Sequence, residues 1–458
     1  MTSAMQFKPF TLVVGLGTTG LSCTRFLARH GVPLAVTDTR CEPPGLARLR
    51  EELPGVEVFS GGFDAAIFAR AEQLVVSPGV SLSEPLVVAA MARGVPVLGD
   101  IELFARYAQA PVIAITGSNG KSTVTTLVGE MARCSGRRVA VGGNLGTAAL
   151  DLLDQEDTTT GAIELYVLEL SSFQLDTTHG LDAQAAVVLN ISADHLDRHG
   201  AMTHYIAAKA RVYRGQGKMV INADDPWVAA MAEPQRQISR FTLGIPHTPS
   251  DYGVRPGPGG DWIARGATLL MPTAEVKMIG RHNLANALAA LALAEAVELP
   301  IDPCLNTLRE FAGLPHRCQL VAELDGVAWY NDSKGTNVGA TEAACAGLTG
   351  PLILIAGGQG KDQDFTPLRA ALVGKARTVI LIGADALRIR RVLEGWMPVE
   401  DAPDLPAAVN RARELAQSGD RVLLSPACAS FDMFRDYVDR GESFIRAVQQ
   451  SSSHIQLF

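Results

Sequence analysis

Short apolar runs that end in turn residues recur along the whole chain. "TLVVGLG", "LAVTD", "QLVVSPG" and "PVIAITG" come first; "YVLEL", "AAVVLN", "KMVINAD", "LILIAGG", "TVILIG" and "RVLLSP" follow. These runs are continuous rather than alternating, which suits strands buried on both faces. Ala/Leu/Arg/Glu-rich stretches such as "GLSCTRFLARHG" lie between many of them and read as helices. Strand, turn and helix in repetition predict right-handed βαβ units and parallel sheets, an α/β fold. Only "YGVRPGPGGDWIARG" breaks the rhythm, and it reads as hairpins.

A chain of 458 residues suggests about three domains. One boundary fits "PVLGDIELFARYAQAPVI", where a helix leads into a new first strand, and another fits the Gly/Pro-punctuated "FAGLPHRCQL". The expected domains are residues 1–105, 106–313 and 314–458. Hydrophobic content of 47% and charged content of 19% give each domain enough material for a core. A net charge of −8 argues against nucleic acid or an anionic membrane as main partner. No apolar run is long enough to span a bilayer, and "MTSAMQFKPF" does not read as a signal peptide. Seven dispersed cysteines without a C-x-x-C pair predict free thiols in a reducing, cytoplasmic setting and no zinc site.

Three turns carry candidate chemistry. "VVGLGTTGLSC" places Gly15-x-Gly17-x-x-Gly20 between a strand and a helix beginning near Thr18. Such a loop makes a tight turn, lets a phosphate approach the backbone and points a helix N-terminus at it. Asp38 follows Gly20 by 18 residues, where a ribose-binding acid belongs, but Arg40 beside it suits a phosphate equally well. The nucleotide therefore stays open at this point. "VIAITGSNGKST" departs from the strict phosphate-loop pattern, because Ile115 stands where the first glycine belongs. Its parts are nonetheless present: an anion nest at Gly117 and Gly120, Lys121 for the β/γ-phosphates, and Ser122 for Mg²⁺. A dehydrogenase has no use for such a cradle, so an NAD-binding enzyme or sensor accounts for the first loop alone. Glu169 ends "YVLEL", where a Walker-B-type acid would hold Mg²⁺. "LNISADHLDRHG" supplies Asn190, Asp194, His195 and Asp197, and Asn144 occupies a further Gly-rich turn. Lys209, in "YIAAKARVY", reads by itself as an ordinary solvated helix lysine.

The set "AITGSNGKST", "LELSSFQL", "LNISADHLDRH", "GRHNLANALAA", "LPHRCQ", "NDSKGTN" and "SPACASFDMF" resembles the Mur ligases of bacterial peptidoglycan synthesis. With "GGQGKDQDF" it is similar to the branch that adds D-glutamate to UDP-N-acetylmuramoyl-L-alanine, rather than to other Mur ligases or folylpolyglutamate synthases. The resemblance implies an N-terminal Rossmann-like domain, a central P-loop-type ATPase fold with a mostly parallel sheet, and a C-terminal Rossmann-like domain. It implies an ATP-dependent amide ligase working through an acyl phosphate and giving ADP and phosphate, in cell-wall biogenesis and hence cell shape and division. Its substrates would be ATP, D-glutamate and the UDP-muramoyl compound, with a monomer as the expected state.

By the same resemblance, Gly15, Gly17, Thr18, Thr19, Asp38, Thr39, Arg40, Ser77, Asn144 and His195 would bind the UDP substrate. Gly117, Asn119, Gly120, Lys121, Ser122, Thr123, Asn283, Asn286, Arg317 and Asp332 would bind ATP. Lys334, Thr336, Lys361, Ser430, Phe431 and Tyr437 would receive D-glutamate. Tyr437 departs from an expected Phe, keeping the ring and adding a hydroxyl. Ser430 is expected where "RVLLSP" turns into a helix starting near Phe431, whose N-terminus favours an anion. Lys121, Glu169, His195 and Lys209 would be catalytic. Two Mg²⁺ sites are implied, with Ser122, Glu169, His195 and a CO₂-derived carbamate on Lys209 as ligands. The C-terminal domain would close about Leu314–Arg317, and the base for the amine stays open.

Overall fold

The apolar runs become strands, and the strands gather into three sheets. The computed structural model describes residues 9–155, 161–450 and 456–457. The first sheet has five parallel strands in the order Glu57–Ser60, Leu34–Asp38, Phe10–Val14, Ala71–Val76, Val97–Leu98. Its order reverses between Phe10–Val14 and Ala71–Val76, so Gly15 and Ser77 emerge side by side at the switch point. The Ser77 hydroxyl donates to the Gly15 carbonyl at 2.8 Å and closes that edge.

The second sheet has nine strands. Six run parallel, in the order Ile238–Phe241, Lys218–Asn222, Ala185–Val188, Val112–Thr116, Leu165–Glu169, Val139–Gly143. Tyr252–Gly257 joins the Ile238–Phe241 edge and starts an antiparallel extension with Gly260–Arg265 and Thr268–Pro272. That extension is the expected hairpin region. The third sheet has seven strands: Val399–Asp401, Ala376–Ile382, Leu352–Gly357, Arg421–Leu424, Val327–Asn331, Gln319–Leu324 and Gln456–Leu457. Its first five are parallel, and the last two are added antiparallel.

Packing divides the molecule unequally. One apolar cluster runs from Val13, Leu16, Phe26 and Phe104 straight into Tyr166, Leu168 and Met219, so the first two sheets share a core. The other face of the central sheet packs under the Ala/Leu-rich helix Arg281–Ala296. The third sheet carries separate apolar clusters on its two faces. Buried polar ties add to the first junction. Glu102 accepts from the His179 and Gly180 N–H groups at 2.7 Å each, and Asp100 accepts from the Gln174 amide at 2.7 Å. Burial pushes the Asp100 carboxyl up to about 6.

One expected element is absent. No helix starts near Phe431; after Arg421–Leu424 the chain stays irregular until the helix Tyr437–Gln450. The Ser430 carbonyl accepts from the Met433 and Phe434 N–H groups, a single turn that goes no further. The helix start is instead set by Asp436, whose carboxylate accepts from the Asp439 N–H at 2.9 Å, an N-cap bond.

The central sheet also depends on a side chain between two strands. The buried Tyr213 hydroxyl accepts from Val188 N–H at 2.9 Å and donates to the Val220 carbonyl at 2.8 Å. Tyr213→Phe leaves both backbone groups without that partner. Its expected cost is about 1–3 kcal/mol, read as a lower urea midpoint with unchanged m-value; an unchanged midpoint would refute it.

Candidate active site

The first glycine loop and its neighbours enclose a cavity of about 580 Å³. Gly15, Gly17, Thr18, Thr19, Asp38, Thr39, Arg40, Ser77 and Asn144 all line it. Gly20 is needed for close approach: a Cβ there would stand 1.9 Å from the Gly15 carbonyl oxygen. Asp38 acts first as a brace. Its carboxylate accepts from Leu16 N–H at 2.7 Å, from Arg40 N–H at 2.9 Å and from the Arg40 guanidinium at 2.7 and 2.9 Å. The Arg40 contact leads in holding this carboxyl down at about 2, with the two N–H groups adding to it. Asp38 and Arg40 thus face the cavity as one ion pair rather than as alternatives. His195 is not among the residues that line this cavity.

The second glycine loop joins Val112–Thr116 to the helix Lys121–Cys134. Gly120 has φ +86°, and a Cβ on it would lie 2.5 Å from Asn286 Oδ1. The loop is cross-tied: Asn119 N–H donates to Asn190 Oδ1 at 2.8 Å, and Asn190 Nδ2 returns to the Asn119 carbonyl at 3.0 Å. The Lys121 ammonium donates to the Gly117 and Ser118 carbonyls at 2.9 Å each. Desolvation lowers its pKa, while Glu169 and Asp194 oppose the shift. Asn119, Gly120 and Thr123 open onto a second cavity of about 390 Å³, which Asn283, Asn286, Arg317, Asp332 and Lys334 also line. Burial pushes Asp332 up to about 6, against hydrogen bonds from Ser425 and Cys318 N–H.

Glu169 joins the two cavities. One of its oxygens accepts from Ser122 Oγ at 2.6 Å, and the other accepts from Asn144 Nδ2 at 2.7 Å. Arg317 donates to the same Ser122 hydroxyl at 2.7 Å. A serine hydroxyl and one carboxylate are hard oxygen donors, the set with which Mg²⁺ is held when phosphates and water complete its shell. Among the described residues no cluster of three or more His, Cys, Asp or Glu forms an all-protein cage.

Lys209 is not a solvated lysine. It is 2% exposed, and its Nζ donates to the Gly117 carbonyl at 2.8 Å, 4.6 Å from the centre of the Tyr205 ring. Burial, reinforced by Lys121, drives its pKa well below the usual lysine value, which favours the neutral amine. The helix period of "YIAAKARVY" could not show which face is covered. His195, in a left-handed conformation (φ 54°), lies 3.6 Å from Asp194 and edge-on to Phe173. Desolvation lowers its pKa against Asp194, and Lys361 lowers it further from across the domain junction.

The expected amino-acid residues are less closely gathered. Lys334 lines the second cavity with its ammonium 3.9 Å from the centre of the Tyr437 ring, and burial pushes it down to about 8. Ser430 is buried, Lys361 takes a left-handed φ of 51°, and Phe431 is 70% exposed. Thr336 lies in the same turn as Lys334, its N–H donating to the Lys334 carbonyl at 2.8 Å. Without a helix at Phe431, no helix N-terminus faces an anion at Ser430.

Several contributors lie beside the expected ones. Asn190 and Asp194 were legible as strand-end polar residues, whereas Phe173 and Asn337 stood inside "LELSSFQL" and "NDSKGTN" with no role assigned to them. Phe173 stacks on His199 at 5.1 Å and carries the Arg198 guanidinium at 4.5 Å.

Comparison with known proteins shows the family. Family models described as the MurD-like N-terminal domain, the Mur ligase middle domain and the Mur ligase glutamate ligase domain match residues 10–99, 115–294 and 316–428. A Nitrosococcus oceani protein named UDP-N-acetylmuramoylalanine–D-glutamate ligase is 57% identical over 97% of this chain and 97% of its own. A Marinobacter nauticus protein of the same name is 52% identical over 96% of this chain and 98% of its own. Among solved structures, MurF from Acinetobacter baumannii aligns with TM-score 0.57 at 17% identity, over 84% of this chain and 87% of its own. UDP-N-acetylmuramate-alanine ligase MurC from Thermotoga maritima aligns with TM-score 0.56 at 17% identity, over 97% of this chain and all of its own. The structural matches carry the fold alone, and the sequence relatives carry the family: the chain belongs to the Mur ligases.

Proposed function

We infer that this protein is an ATP-dependent ligase that joins the amine of D-glutamate to the alanyl carboxylate of UDP-N-acetylmuramoyl-L-alanine. The observation that carries the reading is the Asn144–Glu169–Ser122–Arg317 chain of hydrogen bonds, which runs from a wall of the first cavity through the phosphate loop to a wall of the second, in the turn before the third sheet. A protein that only binds a nucleotide has no use for two cavities joined in this way. Domains at 1–105, 106–313 and 314–458 and a monomeric state complete the reading. Among the described residues no helix is long and apolar enough to cross a membrane.

A carboxylate does not react with an amine unaided, because oxide is a poor leaving group. Transfer of the ATP γ-phosphoryl group converts it to an acyl phosphate, a step that needs positioning and charge neutralisation. The first cavity would hold the UDP part, with Arg40 held by Asp38 to face its phosphates. The second cavity would hold ATP, with Asn283 and Asn286 toward the base, Asp332 and Arg317 beside the nucleotide, and Lys121 on the β/γ-phosphates. Ser122 and Glu169 would hold one Mg²⁺, and Glu169, His195 and a carbamylated Lys209 a second, supplying neutralisation of the carboxylate and phosphoryl oxygens. Burial supports the Lys209 assignment, since the neutral amine is the form that adds CO₂. Lys361 would pair with a glutamate carboxylate while Thr336 and Ser430 donate hydrogen bonds. The amine then attacks the acyl carbon, and phosphate leaves.

The direct test is phosphate release from ATP with UDP-N-acetylmuramoyl-L-alanine and a panel of D-Glu, L-Glu, L-Lys, diaminopimelate and L-Ala. Release with D-Glu alone is expected; release with another amine would discard the roles of Lys361 and Ser430. Lys121→Ala should lose at least ~10²–10³ in kcat with an unchanged melting temperature. Lys209→Ala should be inactive and regain activity with small added carboxylates; full activity without any additive would remove the carbamate.

A further inference from the structure

The helix Val338–Gly347 of the third domain begins at Asn337, which is 3% exposed. Asn337 Oδ1 accepts from Ala340 N–H at 2.8 Å, an ordinary N-cap. The same side chain also reaches out of its domain. Its Nδ2 donates to Asn119 Oδ1 at 3.3 Å and to Asp194 Oδ2 at 3.2 Å, and Asn119 Nδ2 returns to Asn337 Oδ1 at 3.4 Å. Two donated and two accepted bonds exhaust a carboxamide. A flipped amide would set NH₂ against the Ala340 N–H and oxygen against a carboxylate, so its orientation is specified. Asn119 belongs to the loop that carries Lys121.

A second observation points to the same junction. A Cβ on Gly339 would stand 2.9 Å from Ser192 Oγ and 3.0 Å from Ser192 Cβ. Gly339 lies within the helix and has no left-handed φ. Alanine is the better helix former there, so it is the space and not the backbone that calls for glycine.

We propose that Asn337 is a positioning residue whose amide clasp on Asn119, admitted by the bare backbone of Gly339, couples the seating of the amino-acid domain to the phosphate loop. Phosphoryl transfer then runs in the seated state, and the acyl phosphate forms only where the amine can meet it. The proposal rests on the ligase reading and deepens it.

Two variants separate the clasp from the helix cap. Asn337→Ser keeps a capping oxygen but cannot reach Asn119. Gly339→Ala leaves every polar group in place and drives a methyl against Ser192. Each is expected to lower kcat by about 10- to 100-fold with an unchanged melting temperature, and to release more phosphate than amide formed. Adding Ser192→Gly to Gly339→Ala restores the room but removes the Ser192 Oγ that accepts from Asn119 Nδ2 at 3.4 Å, so the double variant should recover to the kcat of Ser192→Gly alone. Wild-type kcat in Gly339→Ala, or a double variant no better than Gly339→Ala, would overturn the proposal. Solution scattering with an ATP analogue reads the clasp without chemistry: Gly339→Ala should expand the particle and the double variant recompact it. Identical curves would overturn the clasp whatever amino acid the enzyme takes, whereas a wild type inactive with D-Glu would count against the ligase reading alone.

Discussion

The Ser122 hydroxyl is where the phosphate loop, the wall of the first cavity and the turn leading into the third sheet meet. It donates to Glu169 and accepts from Arg317, and Glu169 in turn accepts from Asn144. Ser122 and Glu169 are both nearly inaccessible, so these charge-assisted bonds act where the local dielectric is low. Glu169 ends the strand next to the phosphate loop, Asn144 walls the first cavity, and Arg317 enters from the turn before the third sheet's Gln319–Leu324 strand. A small change in any one of them is felt at the other two.

Rigidity is distributed to match that geometry. The first two sheets share an apolar core, reinforced by Asp100 and Glu102, and so form a stiff platform for the first cavity and the second glycine loop. The third sheet has its own cores; the helix that Asn337 caps reaches the phosphate loop, and Arg317 reaches it from the turn before the sheet. Polar contacts of this kind exchange with water at modest net cost, whereas separating a shared apolar core does not.

The first glycine loop keeps the spacing of the dinucleotide fingerprint without its free acid. Its tight turn, helix N-terminus and Gly15–Ser77 closure would suit any phosphate diester. What departs from the dinucleotide pattern is Asp38, which is spent on Arg40 and Leu16 N–H rather than left free for a ribose. A loop motif specifies phosphate, and the residues around it specify the rest of the ligand.

Much of this was legible in the chain itself. Continuous apolar runs marked the buried parallel strands, because a strand covered on both faces has no polar side to show. The glycine spacings marked both phosphate loops, because backbone approach demands residues without a Cβ. Family resemblance then gathered Glu169, Asn144 and Arg317, which are far apart in sequence. Local pattern could not reveal burial or cross-domain contact. Lys209 read as solvated from its neighbours along the chain, the resemblance alone gave it a role, and the fold covers it; the helix expected at Phe431 yielded to the cap at Asp436, and the Tyr437 ring found the Lys334 ammonium. Asn337 closed a quoted motif without a role of its own, and Gly339 was an unremarkable letter, until a second domain came within van der Waals distance. Sequence by itself determined the strands, the turns and the kinds of chemistry, which depend on neighbours along the chain. Tertiary structure alone decided desolvation, partner choice and domain seating, which depend on neighbours in space.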